Sequence, residues 1–285
     1  MLIFLRTRAI PGVEIVEKEC YLRTVEIDGT VGRITVKHLP QRQSLCVTIH
    51  FPEVKSLPAI VARVRRLFDL GADIETIDAH LSHDPKLAPW VAMRPGLRAP
   101  GGWDGFELVI RAILGQQISV AAARRLAGQL VVLHGLPVPE IFGKYPGLTH
   151  TFPTAKALAT AKSIGLGMPT ARLETLRVLA CTAVNDPNLF RLVGTIEEAI
   201  ARLRAVPGIG EWTAQYIALR AMREMDAFPG SDVGLLRGAE KVEGAPITSK
   251  GLLVRAESWR PWRAYAAQHL WAVDSALSQE KEQNI

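Results

Sequence analysis

The segment Val206–Tyr216 has the residue types to bind a phosphate group through its backbone. It reads VPGIGEWTAQY, with glycine at positions 208 and 210 and helical sequence on both sides. Glycine lets a turn take positive φ and approach a partner closely. Unpaired N–H groups at the start of the second helix then suit a phosphate oxygen. A helical hairpin that needs glycine only to turn explains the same residues equally well.

Two further features of this region bear on chemistry. Trp212 occupies the first turn of the second helix, and Tyr216 follows four residues later, so the two rings share one helix face. Asp232 lies beyond the hairpin in FPGSDVGLL. Asp232 or Ser231 is suited to cap a helix that starts at Val233, which is the alternative to a chemical role for the carboxylate.

The composition sets limits on the class of protein. The 285 residues are 48% hydrophobic and 22% charged, as in ordinary globular proteins. The net charge of +6 fits a polyanion partner without requiring one. Three cysteines without a CxxC pair exclude a disulfide framework and a cysteine-ligated cluster, which favours a reducing, cytosolic setting. No apolar run is long enough to cross a bilayer, and the N-terminus lacks a signal-peptide pattern.

The elements that must position these residues change in kind along the chain. Three β-rich runs lie within residues 19–51, and an amphipathic helix follows from Leu57. Residues 84–102 carry too many prolines and glycines for a long regular element. The later segments read as helices, with Ser119 as an N-cap. We predict a small antiparallel-sheet α+β domain over residues 1–72 and a helical domain over residues 73–285, with the hairpin at about 196–220.

Several segments in the same order resemble a known family. VPGIGEWTA is similar to the helix-hairpin-helix of DNA glycosylases related to endonuclease III, and that superfamily follows the hairpin with a Gly/Pro-rich loop and an aspartate. A resemblance to the DNA-3-methyladenine glycosylase II family extends over nearly the whole chain. Its other segments are FLRTRAIPGVE, RLFDLGADI, RPGLRAPGGWDGFE, RAILGQQIS, FPGSDVGLL and WRPWRAYAAQHLW. The resemblance implies an α+β N-terminal domain followed by an all-α, two-lobed helix-hairpin-helix glycosylase domain.

The resemblance also implies roles for individual residues. Asp232 would be catalytic, because a carboxylate stabilises the positive charge that develops on the sugar. The base pocket would be lined by Trp212, Tyr216, Trp271 and Phe4, with core packing the alternative for Tyr216 and Phe4. Bifunctional relatives carry a nucleophilic lysine where this chain has Trp212, which implies a monofunctional enzyme that uses water.

The residues expected at the DNA come from the same resemblance. The hairpin would contribute Gly208, Ile209, Gly210 and Thr213. Gln117 would fill the gap left by an extruded base, and a capping amide is the alternative. The basic stretch KGLLVRAESWRPWR is either a phosphate-facing surface or an ordinary solvated face. No cofactor and no catalytic metal are expected, although hairpin carbonyls of Arg204, Val206 and Ile209 are candidates to hold a structural monovalent cation.

The expected function is that of a monofunctional DNA glycosylase. It would excise alkylated purines, of the 3-methyladenine and 7-methylguanine type, by base flipping and hydrolysis of the N-glycosidic bond. The alternatives are a helix-hairpin-helix glycosylase for another damaged base and a DNA-binding protein without catalysis. The expected partner is double-stranded DNA with alkylated bases, with no membrane association. The expected state is a cytoplasmic, nucleoid-associated monomer.

Overall fold

A four-stranded antiparallel sheet forms near the N-terminus of the computed structural model, which describes residues 1–138 and 145–283. The strands pair in chain order. They are β1 Glu14–Glu17, β2 Cys20–Ile27, β3 Thr30–Leu39 and β4 Ser44–His50. The three strands predicted within residues 19–51 are confirmed as β2, β3 and β4. The sequence pattern did not predict β1 or the helix before it, because four and seven residues are too few to show a periodicity.

Helices make up most of the remaining described chain, as the sequence predicts. Their bounds are α1 Leu2–Arg8, α2 Leu57–Leu67, α3 Ile74–Leu81, α4 Ala88–Ala92, α5 Gly105–Leu114, α6 Val120–His134, α7 Ala155–Thr160, α8 Thr170–Asn185, α9 Ile196–Arg204, α10 Glu211–Ile217, α11 Val233–Glu243, α12 Ser249–Ala256 and α13 Arg263–Gln283. Within the described ranges, no helix is both long and apolar enough to span a membrane.

Contacts within the chain divide it into two compact units. The first contains Met1–Val64, Phe106–Leu189 and Val206–Gly208. The second contains Arg65–Gly105, Phe190–Ala205 and Ile209–Ile285. Each unit is therefore assembled from separated stretches of sequence. The domain boundary predicted after residue 72 stays a prediction.

The first unit buries one face of its sheet. Val25 on β2 and Ile34 and Val36 on β3 are almost fully buried. On β4 the half-buried positions alternate with exposed ones, as in a strand with one face towards the core. The sheet thus has an apolar inner face that helices of the same unit can cover.

Three buried charged side chains, Glu14, Arg23 and Glu107, form a network with the half-buried Arg111 in the first unit. Arg23 on β2 pairs with Glu107 on α5 through Nη2 and Oε2 at 2.8 Å. Arg111, one turn further along α5, pairs with Glu107 and, at 2.6 Å, with Glu14. The hydroxyl of Tyr21 donates to the second oxygen of Glu14 at 2.7 Å. These contacts fix the sheet to α5 with each charge balanced.

The second unit brings α11 and α13 into close contact at Gly238. A Cβ at this position would lie 2.2 Å from the carbonyl oxygen of Leu270, far inside a normal contact. Only a residue without a side chain lets the backbones of the two helices approach this closely. This approach matters because α11 and α13 each carry residues of the candidate site.

We expect Glu107→Gln to destabilise the protein strongly. The substitution keeps the shape of the side chain but leaves Arg23 and Arg111 buried with one carboxylate fewer. Breaking a buried ion pair in this way costs about 3–5 kcal/mol. Urea unfolding should detect this loss. Glu53→Gln is the control, because its pair with Lys55 is exposed at the surface and its loss should cost less than about 1 kcal/mol. Equal losses in the two variants would contradict the prediction.

The contribution of Glu107 should also depend on pH. Burial raises the pKa of Glu107, but Arg23 and Arg111 outweigh burial and lower it from 4.5 to about 2. Because the pKa is lower in the folded state, ionised Glu107 stabilises the fold above about pH 4.5, and this contribution is lost as the pH falls towards about 2. The difference in unfolding free energy between the wild type and Glu107→Gln should therefore shrink over that range. A difference independent of pH would count against the ionised network.

Candidate active site

Asp232 is held by three hydrogen bonds within the second unit. Its Oδ1 accepts from the backbone N–H of Leu235 at 3.0 Å and from Nε1 of Trp271 at 2.8 Å. Its Oδ2 accepts from Nε1 of Trp212 at 2.8 Å. The predicted cap of α11 is thus confirmed and belongs to Asp232 rather than Ser231. The half-buried carboxylate has each oxygen fixed by an indole N–H.

Three of the four predicted pocket aromatics come together around this carboxylate. The rings of Trp212 and Tyr216 stack, with centroids 5.4 Å apart and planes 14° apart, which confirms that they share a helix face. Tyr216 meets Trp271 edge to face at 6.3 Å. All three rings are half-buried. The structure therefore places a cluster of electron-rich faces directly beside Asp232.

Arg220 supports this aromatic cluster and was not predicted. It lies in the π-helical turn Ala218–Met222 that follows α10. Its guanidinium carbon is 4.9 Å from the ring centroid of Trp271, and its N–H groups donate to the carbonyl oxygen of Pro100 and to Oε1 of Gln268. Trp212, Tyr216 and Arg220 follow one another at intervals of four residues, which is typical of side chains on one helix face. This spacing could have indicated from the sequence that Arg220 lies near the two rings.

Gly234 is a second residue that sequence reasoning missed. A Cβ at this position would lie 3.1 Å from Oδ1 of Asp232 and 3.2 Å from Cδ1 of Trp271. It would also lie 3.2 Å from Oδ2 of Asp274. These distances are tighter than most real Cβ contacts, so the glycine makes room for the carboxylate and the indole in the first turn of α11.

Two further ionisable groups near the cluster are Arg237, which is paired, and His269, which is neutral near pH 7. Arg237 on α11 pairs with Asp274 on α13. His269 lies two residues before Trp271 and is 1% exposed. Burial, with the positive charge of Arg94, lowers the pKa of His269 to about 4, so it is neutral near pH 7. Over residues 1–138 and 145–275, whose side chains are placed, no group of three or more acidic, His or Cys side chains could hold a metal ion.

The hairpin glycines are exposed, and Gly208 has the positive φ that the sequence predicts. Gly208 is exposed with φ at +85°, and a Cβ there would lie 2.3 Å from Oγ1 of Thr175. Gly210 is the exposed N-cap residue of α10 and supplies no side-chain cap. The side chains of Ile209 and Thr213 are instead buried, at 4% and 3% exposure. Contacts of these four residues with DNA stay predictions.

Phe4 and Gln117 belong to the first unit. Phe4 is half-buried on α1, and the guanidinium carbon of Arg8 lies 4.0 Å from its ring centroid. Gln117 is exposed between α5 and α6 with φ at +59°. Ser119 caps α6 through a hydrogen bond from the N–H of Ala122, as predicted. The roles predicted for Phe4 and Gln117, and for a cation at the hairpin carbonyls, stay predictions.

The basic stretch near the C-terminus is largely neutralised by neighbouring carboxylates. Arg255 pairs with Glu243 and Asp84. Arg260 and Arg263 both pair with Asp226 and Glu257. Lys250 is exposed. Each of these three arginines therefore contacts two carboxylates, and both interpretations of the stretch, a phosphate-facing surface or a solvated face, stay predictions.

Comparisons with known proteins identify the family of this chain. A family model described as the AlkA N-terminal domain matches residues 1–104. The "Probable bifunctional transcriptional activator/DNA repair enzyme AlkA" of Mycobacterium tuberculosis is 38% identical over 267 residues, which are 94% of this chain. The match covers 53% of that protein, so this chain spans about half the length of that relative.

Two further proteins match over nearly their whole length. A solved structure of the 3-methyladenine DNA glycosylase from Archaeoglobus fulgidus matches this chain with a TM-score of 0.83 and 24% sequence identity. The match covers 97% of this chain and 94% of that protein's chain, and it shows a likeness of fold. The "DNA-3-methyladenine glycosylase 2" of Escherichia coli is 35% identical over 274 residues, which are 95% of this chain and 92% of that protein. On this evidence the chain belongs to the DNA-3-methyladenine glycosylase II family.

Proposed function

We propose that this chain is a monofunctional DNA glycosylase that excises alkylated purines from double-stranded DNA. The observation that carries the proposal is the carboxylate of Asp232, held between the indole N–H groups of Trp212 and Trp271. A flipped nucleotide that enters such a site meets aromatic faces at its base and a carboxylate at its sugar. Family membership and the name of the Escherichia coli relative support the same reaction.

The proposed chemistry centres on the charge that develops at the sugar. As the bond from C1′ to the base nitrogen breaks, its electron pair leaves with the base and positive charge builds on the sugar ring. Ionised Asp232 stabilises this charge. A carboxylate has about four acceptor sites, and the three donors bonded to Asp232 take two on Oδ1 and one on Oδ2. The remaining site on Oδ2 is suited to orient the water that attacks C1′.

The aromatic cluster explains selectivity for alkylated bases. A purine methylated at a ring nitrogen carries positive charge, which the faces of Trp212, Tyr216 and Trp271 attract more strongly than a neutral base. Such a base is also a good leaving group, so the reaction needs no strong general acid. The neutral state of His269 is consistent with this requirement.

Trp212 supports the use of water rather than an enzyme amine. Its side chain donates a hydrogen bond to Asp232, so this position of the hairpin lies beside the proposed catalytic carboxylate. An indole has no nucleophilic amine to attack the sugar. The proposed product is therefore an abasic site in an intact strand, formed without a cofactor.

Binding to DNA is proposed to start at the hairpin. Gly208 and Gly210 are exposed and leave the backbone of the turn open to a phosphate oxygen. The exposed Gln117 is proposed to fill the gap that the flipped base leaves, and the carbonyls of Arg204, Val206 and Ile209 to hold a monovalent cation. We place this activity in a monomer that works in the cytoplasm on the nucleoid.

The decisive experiment is to measure base release from methylated duplex DNA, using chromatography with mass detection. We expect the wild type to release 3-methyladenine without cleaving the strand, and Asp232→Asn to lose at least about a hundredfold in turnover while still binding DNA. Asp73→Asn is the matched control, because Asp73 also caps a helix, α3, through its side chain. It should keep full turnover.

Each other outcome of this experiment has a defined meaning. If bases are released only from DNA with oxidised or deaminated purines, the substrate is another lesion and not an alkylated base. DNA binding without release from any lesion would leave a binding protein that performs no catalysis. Equal losses in Asp232→Asn and Asp73→Asn would mean that capping, rather than chemistry, explains the effect.

Gly234→Ala should lower turnover without lowering the stability of the fold. Alanine is favoured over glycine in a helix by up to about 1 kcal/mol. The added Cβ, however, presses on Oδ1 of Asp232 and on the ring of Trp271. We expect an unchanged or raised melting temperature together with a fall in turnover of about tenfold or more.

Gly251→Ala provides the control for this substitution. Gly251 lies in the first turn of α12, and a Cβ there would lie 3.3 Å from the capping hydroxyl of Thr248. The contact resembles that at Gly234, but α12 contributes no residue to the site. Its turnover should match that of the wild type. Full activity of Gly234→Ala would argue against the proposed placement of the reacting carboxylate.

A further inference from the structure

An exposed cation lies on α11 beyond the capping carboxylate. Arg237 pairs with Asp274 on α13 through two parallel contacts, from Nε to Oδ1 at 2.7 Å and from Nη2 to Oδ2 at 2.8 Å. The side chain of Arg237 is 57% exposed, whereas that of Asp274 is 15% exposed. The carboxylate is thus fixed in the unit, and the guanidinium extends from it towards solvent.

This pair lies next to the proposed catalytic carboxylate. A Cβ at Gly234 would be 3.1 Å from an oxygen of Asp232 and 3.2 Å from an oxygen of Asp274, so both carboxylates border the same small space. The hydrogen bond to Asp274 raises the pKa of Arg237, and the charges of Asp274 and Asp232 add to this effect. Arg237 is therefore a permanent cation within electrostatic range of Asp232.

The geometry of the pair leaves part of the guanidinium available. Asp274 uses the edge formed by Nε and Nη2, so N–H groups on Nη1 and Nη2 remain for another acceptor. An arginine whose orientation is already fixed loses less side-chain entropy when it binds an anion. A planar guanidinium edge matches two oxygens of a phosphate group.

We propose that Arg237, positioned by Asp274, binds the DNA phosphodiester next to the flipped nucleotide. The inference rests on the proposed function, because it requires the sugar of that nucleotide to meet Asp232. Such a nucleotide carries a phosphate on each side of its sugar. Arg237 follows Asp232 by five residues, which is about 7 Å along a helix axis, so its long side chain reaches a phosphate beside the sugar.

The test measures affinity for DNA as a function of salt concentration. The probes are a duplex with a tetrahydrofuran abasic analogue, which the enzyme cannot hydrolyse, and the same duplex undamaged. We expect Arg237→Gln to weaken binding to the analogue about tenfold. It should also reduce the slope of log K against log salt by about 0.9, the value for one phosphate contact.

Lys86→Gln is a closely matched control. Lys86 pairs with Glu243 at 2.7 Å in the same unit, with exposures of 52% and 16%, close to those of Arg237 and Asp274. Its removal changes the net charge by the same amount, and we expect no change in the slope. Arg237→Lys keeps the charge without the planar edge and should bind with intermediate affinity at an unchanged slope.

Asp274→Asn separates positioning from simple neutralisation. Removing a negative charge near DNA favours binding on electrostatic grounds alone. If Asp274 positions Arg237, the variant should instead bind the analogue several-fold more weakly. This effect should disappear when Arg237→Gln is also present.

Three outcomes would overturn the inference. The first is that Arg237→Gln and Lys86→Gln have the same affinity and slope. The second is tighter binding by Asp274→Asn, and the third is the absence of salt-dependent binding by the wild type. A melting temperature lowered in both Arg237→Gln and Asp274→Asn, with unchanged binding, would identify the pair as only a bridge between helices. If the wild type releases no base but Arg237→Gln still weakens binding to the analogue and lowers the salt slope, only the proposed function would be overturned.

Discussion

The candidate site depends on the hydrogen bonds that hold the carboxylate of Asp232. An N-cap bond sets its position at the start of α11, and the indole N–H groups of Trp212 and Trp271 fix its two oxygens. The same bonds orient the two indoles, since a ring tied through Nε1 has little freedom to turn. A single carboxylate therefore organises both the electrostatics of the site and the aromatic faces beside it.

Capping and catalysis are compatible roles for this residue. The cap and the indole of Trp271 engage Oδ1, whereas Oδ2 retains an acceptor site beside the bond from Trp212. A helix N-terminus also favours a negative charge. The fold thus keeps this carboxylate in a half-buried place where, in the proposed reaction, positive charge develops. Gly234 contributes by leaving the space that this arrangement needs.

Several charges in the described part of this protein form internal pairs. The network around Glu107 in the first unit is balanced, and Asp226 and Glu257 neutralise Arg260 and Arg263. A net charge of +6 therefore says little about where the proposed DNA partner would bind. In this protein the more specific features are an exposed glycine turn, which offers backbone N–H groups, and an arginine whose paired carboxylate fixes its orientation.

The sequence by itself determined three of the four strands, most helices, the cap at Ser119 and the identity of Asp232 as a residue of interest. These features follow from period, capping chemistry and motif order, which are local in the chain. The pairing of Arg237 with Asp274, the contact of Arg220 with the ring of Trp271 and the space at Gly234 were decided only by tertiary structure. They join residues far apart in sequence, and no local pattern records which side chains meet when α11 packs against α13. The short elements α1 and β1 were not predicted, because seven and four residues are too few to show a periodicity.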